Sequence, residues 1–192
     1  MSTSYPNARQ HIQEAYPEAL FKSQTAAEWT GPFELPVEIL DYYQTFGPVD
    51  VNIAGYGNPY FLPSLARLWS FQAGYRYHPQ SGETFPDWNA DWLVVADEGG
   101  DPFIFSLSAK TILHAYHGEG SWNPEPIFNR LGDMVFCFAT LGHIVARNPD
   151  QLTDEDDMIQ PQHIESARNR MVSELGSTEK AEFILASMAW TR

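Results

Sequence analysis

Residues 92–107 decide the fold of this chain, and they read WLVVADEGGDPFIFSL. Two apolar runs, rich in β-branched and aromatic residues, flank a short acidic turn that contains Gly99 and Gly100. Glycine adopts positive φ without a steric clash, which a tight reversal between strands commonly requires. Because both runs are apolar almost throughout, the sequence predicts an antiparallel hairpin that is covered on both faces inside a sheet.

A second landmark lies upstream, where residues 35–47 read LPVEILDYYQTFG. Pro36 suits the first turn of a helix, and Gly47 stands where a left-handed C-terminal cap is expected. Pro48 prevents the helix from continuing. The sequence therefore predicts a short amphipathic helix over residues 36–46. Apolar residues at three-residue spacing form its predicted buried stripe: Val37, Leu40, Tyr43 and Phe46.

The remaining patterns place helices and strands on both sides of the hairpin. We predict helices over residues 7–16, 63–71 and 127–145, strands over 49–54 and 111–116, and a long loop over 75–91. This mixture indicates an α+β class. We expect a single domain with a twisted, mainly antiparallel sheet flanked by the helices.

The C-terminal part of the chain, residues 148–192, has a different composition. An acidic linker that includes residues 154–157 precedes two short helical patterns. Gly176 closes the first pattern, and Ser177 or Thr178 caps the second. These signals predict a two-helix hairpin, which either packs on the main domain or supplies a dimer contact.

Together these segments resemble the SUKH superfamily (Smi/Knr-like), which groups bacterial toxin-immunity proteins with fungal cell-wall regulators. The matching segments are residues 35–47, 92–107, 110–117 and 126–141. The loop over 75–91 and the chain beyond residue 147 have no counterpart in that pattern. The resemblance implies a SUKH-like domain over residues 1–147. It also implies a non-enzymatic immunity protein that neutralises a cognate toxin, or a regulatory scaffold protein without a toxin partner.

Charge and composition narrow the function classes. The chain has 11 Lys and Arg against 25 Asp and Glu, which gives a formal net charge of −14. This balance argues against binding to nucleic-acid phosphates or anionic membranes, and it favours a basic protein partner. The sequence has no apolar run of membrane-spanning length. Its one cysteine, Cys137, lies among apolar residues and is predicted to be buried. We expect a cytoplasmic location.

Two histidines keep an enzymatic alternative open. His114 and His117, with the acidic turn Asp97–Asp101, are candidates for a metal-dependent or acid–base hydrolase. Residues three apart on a strand point to opposite faces, which favours His114 packed in or beside the sheet and His117 in a turn. No phosphate-binding glycine loop, nucleophile elbow or zinc-finger spacing occurs. We therefore predict no catalytic residues and no metal, nucleotide or flavin.

The predicted partner-binding site combines carboxylates with large rings in loops. Its candidate residues are Asp97, Glu98, Asp101, Glu119, Trp88 and Trp122. The carboxylates would steer and orient a basic partner, and a ring buried in the interface would supply most of the affinity. The alternative for the rings is a small second core beneath the long loop.

Overall fold

The structure is a computed structural model that describes residues 4–191. The helices are α1 (Ser4–Ala15), α2 (Val37–Thr45), α3 (Leu65–Leu68), α4 (Leu131–Arg147), α5 (Pro161–Leu175) and α6 (Thr178–Ser187). The strands are β1 (Val51–Ile53), β2 (Tyr60–Leu62), β3 (Trp92–Glu98), β4 (Asp101–Ser106), β5 (Ile112–His114) and β6 (Glu125–Phe128). They form one six-stranded sheet in chain order, with antiparallel pairing from β2 through β6. The predicted α+β class is confirmed.

The central hairpin has the predicted register. Leu93 lies opposite Phe105, and Ala96 lies opposite Phe103. The register shifts between Val94 and Ala96, which marks a β-bulge. Gly99 and Gly100 form the two-residue turn with φ values of 63° and 106°. Positive φ at both positions matches the right-handed twist of the strands that the turn joins.

Both faces of the hairpin are covered, as its apolar runs predicted. Residues 93–96 and 103–105 are buried. The 75–91 segment is irregular, and it supplies rings to a small core on one face of the sheet. Trp88, Val94 and Ile104 form the centre of that core. Partly buried apolar residues surround it: Phe71, Tyr75, Phe85, Trp92, Leu113 and Trp122.

Two strands were missed by the sequence analysis. Tyr60–Leu62 follows a glycine-rich break and pairs with the end of β3. Glu125–Phe128 pairs with β5, so the predicted helix over 127–145 begins only at Leu131. Pro126 is tolerated in β6 because this strand lies at the edge of the sheet, where one side needs no ladder partner.

The buried stripe predicted for α2 was right for Tyr43 and Phe46 and wrong for Val37, with Leu40 half-buried. Val37 is 71% exposed, whereas Ile39, Tyr42, Tyr43 and Phe46 are fully buried. A three-residue step falls about 60° short of a full helical turn, so three such steps move about halfway around the helix. Val37 and Phe46 therefore lie on opposite sides. The predicted C-terminal end is correct, since Gly47 has φ of 59°.

The two C-terminal helices form the predicted hairpin. Gly176 ends α5 in the left-handed conformation, and the Ser177 hydroxyl accepts a hydrogen bond from the Lys180 backbone N–H at 3.1 Å. Within residues 4–191, no helix combines the length and apolar character needed to cross a membrane.

Contacts group the chain into two compact units. The first comprises Met1–Glu18, Ile53–Pro59 and Gly132–Arg192, and it holds α1, α5 and α6 with nearly all of α4. The second comprises Ala19–Asn52 and Tyr60–Leu131, and it holds most of the sheet. The predicted domain boundary between residues 147 and 148 stays a prediction.

Candidate functional site

Three of the four predicted carboxylates lie at the tip of the β3–β4 hairpin, and they are divided between two faces of the sheet. Glu98 lies directly opposite Asp101, so their side chains share one face of the sheet. Asp97 lies opposite Pro102 and points to the other face, because side chains alternate along a strand. The structure therefore separates Asp97 from the other two acids at the tip.

Asp97 is half-buried beside the aromatic loop. Its Oδ2 accepts a hydrogen bond from the Tyr75 hydroxyl at 2.8 Å. Burial raises the pKa of Asp97, and the hydrogen bond from Tyr75 partly offsets that rise. Burial also raises the pKa of the Tyr75 phenol, with the Asp97 charge acting in the same direction. Tyr75 thus remains a proton donor that fixes the orientation of the carboxylate.

Glu98 is the most perturbed acid at the tip. Burial raises its pKa to about 7, and the charge of Asp101 acts in the same direction. A carboxyl that is partly protonated near neutral pH carries only part of a negative charge. Glu98 therefore contributes less to steering than its residue type suggested.

The two histidines differ in environment, as the favoured interpretation predicted. His114 is buried and stacks on Phe103, with ring centroids 4.5 Å apart. Burial lowers its pKa to about 4. His117 is 61% exposed, and its Nδ1 lies 2.6 Å from Asp101 Oδ1. Within residues 4–191, no group of three or more His, Cys, Asp or Glu side chains is arranged to hold a metal ion.

The two predicted tryptophans occupy different environments. Trp88 is 5% exposed and belongs to the small core. Its ring is therefore not available for direct contact with a partner, and it positions the rings that pack against it. Trp122 is half-buried, and its ring lies 5.8 Å from Tyr75 and 5.9 Å from Trp88. The rings of the long loop thus form a second core, as the alternative proposed, with Trp122 at its edge.

The second unit has two recesses, one lined by Tyr75 and the other by Trp122. One has a volume of about 250 Å³, and its wall includes Tyr116, Glu119 and Trp122. The other has a volume of about 470 Å³, and its wall includes Tyr75 and Asp97. We call the surface around both recesses the acidic aromatic face. Its defining residues are Tyr75, Asp87, Asp97, Tyr116, Glu119 and Trp122.

Asp87 and Tyr116 were not among the predicted site residues. Asp87 is exposed and lines the smaller recess with Glu119. Tyr116 is 48% exposed and follows His114 by two residues. The alternation of a strand end could have indicated Tyr116, but no local signal in the sequence brings residue 87 next to residue 119.

No protein-family model matches the chain, no curated protein matches it, and no solved structure matches its fold.

The arrangement around His117 limits the chemistry that the site can perform. The Asp101 carboxylate fixes the imidazole through Nδ1 and leaves Nε2 directed away from the pair, as in a general base. A covalent mechanism would also need a nucleophile, and the one cysteine is unsuitable. Cys137 is buried as predicted, and burial raises the pKa of its thiol.

Proposed function

We propose that this protein is a non-enzymatic binding module that recognises a basic protein through the acidic aromatic face. The observation that carries the proposal is that each recess is lined by aromatic rings and at least one carboxylate, with the Tyr75 ring of one recess 5.8 Å from the Trp122 ring of the other. Arg67 also lines the larger recess. The formal net charge of −14 supports the same class of partner.

The two kinds of side chain act at different stages of binding. Glu119 and Asp87 are exposed, so their charges attract a basic partner and orient it as it approaches. Tyr116 and Trp122 offer ring surface that excludes water once the partner is seated. A Lys or Arg side chain in the smaller recess would meet ring faces and carboxylates together, which are the groups that bind a cation best.

The resemblance to the SUKH superfamily gives the proposal a biological setting. In that setting the partner is a toxin domain of bacterial origin, and the protein is the immunity protein that neutralises it in the cytoplasm. The alternative non-enzymatic function is that of a regulatory scaffold protein whose basic partner is not a toxin.

Co-expression with the product of a neighbouring toxin gene tests the proposal. Cells that make the toxin domain should survive when the wild-type protein is present, and Trp122→Ala should reduce that survival. Gln44→Ala, an exposed change on α2, is the matched control and should protect as the wild type does. Full protection by Trp122→Ala would show that the toxin does not bind through the acidic aromatic face. A toxin domain that does not bind the protein at all would contradict the immunity function.

A hydrolase is the second candidate function, and the Asp101–His117 pair is the observation that favours it. Activity of this kind would need His117 as general base, with Asp101 as the group that orients it. The purified protein can be screened against ester, phosphoester and peptide substrates. Turnover that disappears in His117→Gln would support hydrolysis and displace the binding proposal.

A further inference from the structure

A polar groove of about 590 Å³ lies in the first unit, among helices α1, α4 and α5. Helix α1 contributes Asn7, His11 and Glu14, which are spaced four and three residues apart and therefore share one face. Helix α4 contributes His143, and helix α5 contributes Arg170. The volume lies within the range of sites that bind small molecules.

The polar character of this groove is unusual for a seam between packed helices. The neighbouring face of α1 is ordinary core, because Tyr5, Ala8 and Ile12 are buried there. Only Phe136 gives the groove an apolar wall. The polar lining shows that this groove is a water-accessible surface rather than part of the core.

The groove brings the Arg170 guanidinium and two imidazoles together with two carboxylates, Glu14 and Glu174. The rings of His11 and His143 have centroids 5.7 Å apart. Burial lowers the pKa of His11, and the charges of Arg170 and His143 lower it further. At His11 the charge of Arg170 outweighs that of Glu14, which acts in the opposite direction.

Arg170 makes no ion pair or hydrogen bond with any residue in the described part of the chain. The chain has 25 acidic residues for 11 basic ones, so a half-buried arginine without a carboxylate partner is unexpected. Glu14, the acid on the facing helix, is hydrogen-bonded to Gln10 at 2.8 Å. His11 Nδ1 is buried and likewise has no hydrogen-bond partner within residues 4–191.

We propose that this groove binds the oxyanion group, carboxylate or phosphate, of a small molecule. The Arg170 guanidinium is the fixed cationic anchor, since a planar fork of N–H donors matches two oxygens of such a group. The imidazoles of His11 and His143 add donors when they are protonated, and Phe136 supports the apolar body of the ligand. This site is independent of the acidic aromatic face and of the binding proposed there.

Binding should strengthen as the pH falls. The titratable and charged groups around His11 are Glu14 on its own helix, His143 on α4, and Arg170 and Glu174 on α5, whereas Arg147 on α4 acts on Glu14. Burial and the charge of Arg170 lower the pKa of His11, so its protonated form is the one that a bound anion would stabilise. A bound anion favours the protonated imidazoles, so protons are taken up on binding and the affinity rises toward acid pH.

The test uses sodium sulfate as the probe, because sulfate does not titrate near neutral pH and any pH dependence then belongs to the protein. Binding is followed by the imidazole NMR signals of His11 and His143 at constant ionic strength. Saturable shifts are expected at about pH 6, with a dissociation constant that weakens by roughly tenfold at about pH 8. Parallel titrations with acetate and phosphate identify which oxyanion is preferred.

Arg170→Gln should weaken sulfate binding by about tenfold or more at both pH values, since it removes the fixed charge. The matched control is Arg168→Gln, because Arg168 lies on the same helix, pairs with Glu182 at 3.5 Å and lines a different groove. This control should change affinity by less than about twofold.

The double variant His11→Gln with His143→Gln should abolish the pH dependence of sulfate binding, which is then followed through the NMR signals of the Arg170 side chain. Absence of saturable shifts, or equal binding by Arg170→Gln and the wild type, would overturn the proposal.

Discussion

Asp101 accepts two hydrogen bonds from His117 through the same oxygen. Asp101 Oδ1 lies 2.7 Å from the backbone nitrogen of His117 and 2.6 Å from its ring Nδ1. The ring rests beside the turn, since a Cβ added to Gly100 would lie 3.7 Å from its Nδ1. One carboxylate therefore fastens the segment after β5 to the tip of the β3–β4 hairpin. This segment leads directly to Glu119 and Trp122 of the acidic aromatic face.

Replacing Asp101 with alanine should loosen this attachment. Asp101→Ala removes both hydrogen bonds to His117, so the free energy of unfolding should fall by about 1–3 kcal/mol. Urea denaturation measures the change. Glu119→Ala, at an exposed position, is the control and should stay within about 0.5 kcal/mol of the wild type. Equal stability of Asp101→Ala and the wild type would show that the attachment contributes nothing.

Glu98 should make the protein less stable as the pH rises. Its pKa is about 7 in the folded chain against an ordinary value of 4.5. Between these values the folded chain holds a proton that the unfolded chain has released, so stability falls as the pH increases through this range. Glu98→Gln removes the effect. The variant should match the wild type near about pH 4 and exceed it by about 1–3 kcal/mol near about pH 8.

The measurement for Glu98 is urea unfolding at a series of pH values, with the variant and the wild type compared at each. Glu119→Gln is the matched control, because this carboxylate is exposed. Its difference from the wild type should stay constant with pH. A Glu98→Gln curve parallel to the wild-type curve would contradict the raised pKa.

His114 should make the protein more stable as the pH rises, over much of the pH range in which Glu98 makes it less stable. Its pKa is about 4 in the folded chain against an ordinary value of 6.5. Within that interval the unfolded chain binds more protons, so the stability is complete above about pH 6.5 and is lost as the pH falls toward 4. His114→Gln should lose less stability on acidification than the wild type does, whereas His78→Gln, at an exposed position, should follow the wild type.

The effects of Glu98 and His114 partly cancel in the wild type, so its stability should vary little across the interval where both groups change. Each single variant exposes the contribution of the other group. Two results would contradict this cancellation. One is a wild-type free energy of unfolding that changes steeply with pH, and the other is a His114→Gln variant that loses as much stability as the wild type when the pH falls.

Gln72 joins a short 3₁₀ turn to the centre of the sheet. Its fully buried amide donates to the carbonyl oxygens of Leu68 and Val94 and accepts from the Val94 backbone N–H, each at 2.9 Å. Gln72→Ala leaves these backbone groups unpaired, and the free energy of unfolding should fall by about 2–4 kcal/mol. The exposed Gln44→Ala should cost less than about 0.5 kcal/mol. A similar small loss in both variants would refute this role.

Local signals predicted the elements whose ends are marked by particular residues. The glycines at 99 and 100 specified the hairpin, and Gly176 with Ser177 specified the C-terminal helical hairpin. Signals of this kind act over a few residues, so they are readable without tertiary contacts. Strands β2 and β6 were missed because three or four residues form strands only when a neighbouring strand pairs with them.

The candidate site was predictable only in part. Acidic residues at a glycine turn indicated the hairpin tip, but their division between two faces depends on the register of β3 and β4. The raised pKa of Glu98 follows from burial, which its position next to a turn did not suggest. The contact between Tyr75 and Trp122 joins loops that are far apart in sequence, so no local pattern encodes it.

The most direct test of partner binding by the acidic aromatic face is the rate of association with the toxin domain encoded by a neighbouring gene. Asp97 and Asp101 accept hydrogen bonds from Tyr75 and His117, so reversing their charges would also disturb the structure. Charge-reversal variants are therefore placed at exposed residues of the face. Asp87→Lys with Glu119→Lys reverses two charges on the face. Glu155→Lys with Asp156→Lys makes the same change in net charge within the exposed acidic linker, and it serves as the control.

At low salt the face variant should associate about tenfold or more slowly than the wild type, with a weaker dependence on ionic strength, because it has lost the local steering charges. The linker variant should stay within about threefold of the wild type. Trp122→Ala should mainly increase the rate of dissociation. Equal slowing by the face and linker variants would show that only net charge matters, and unchanged rates in all variants would contradict binding through this face.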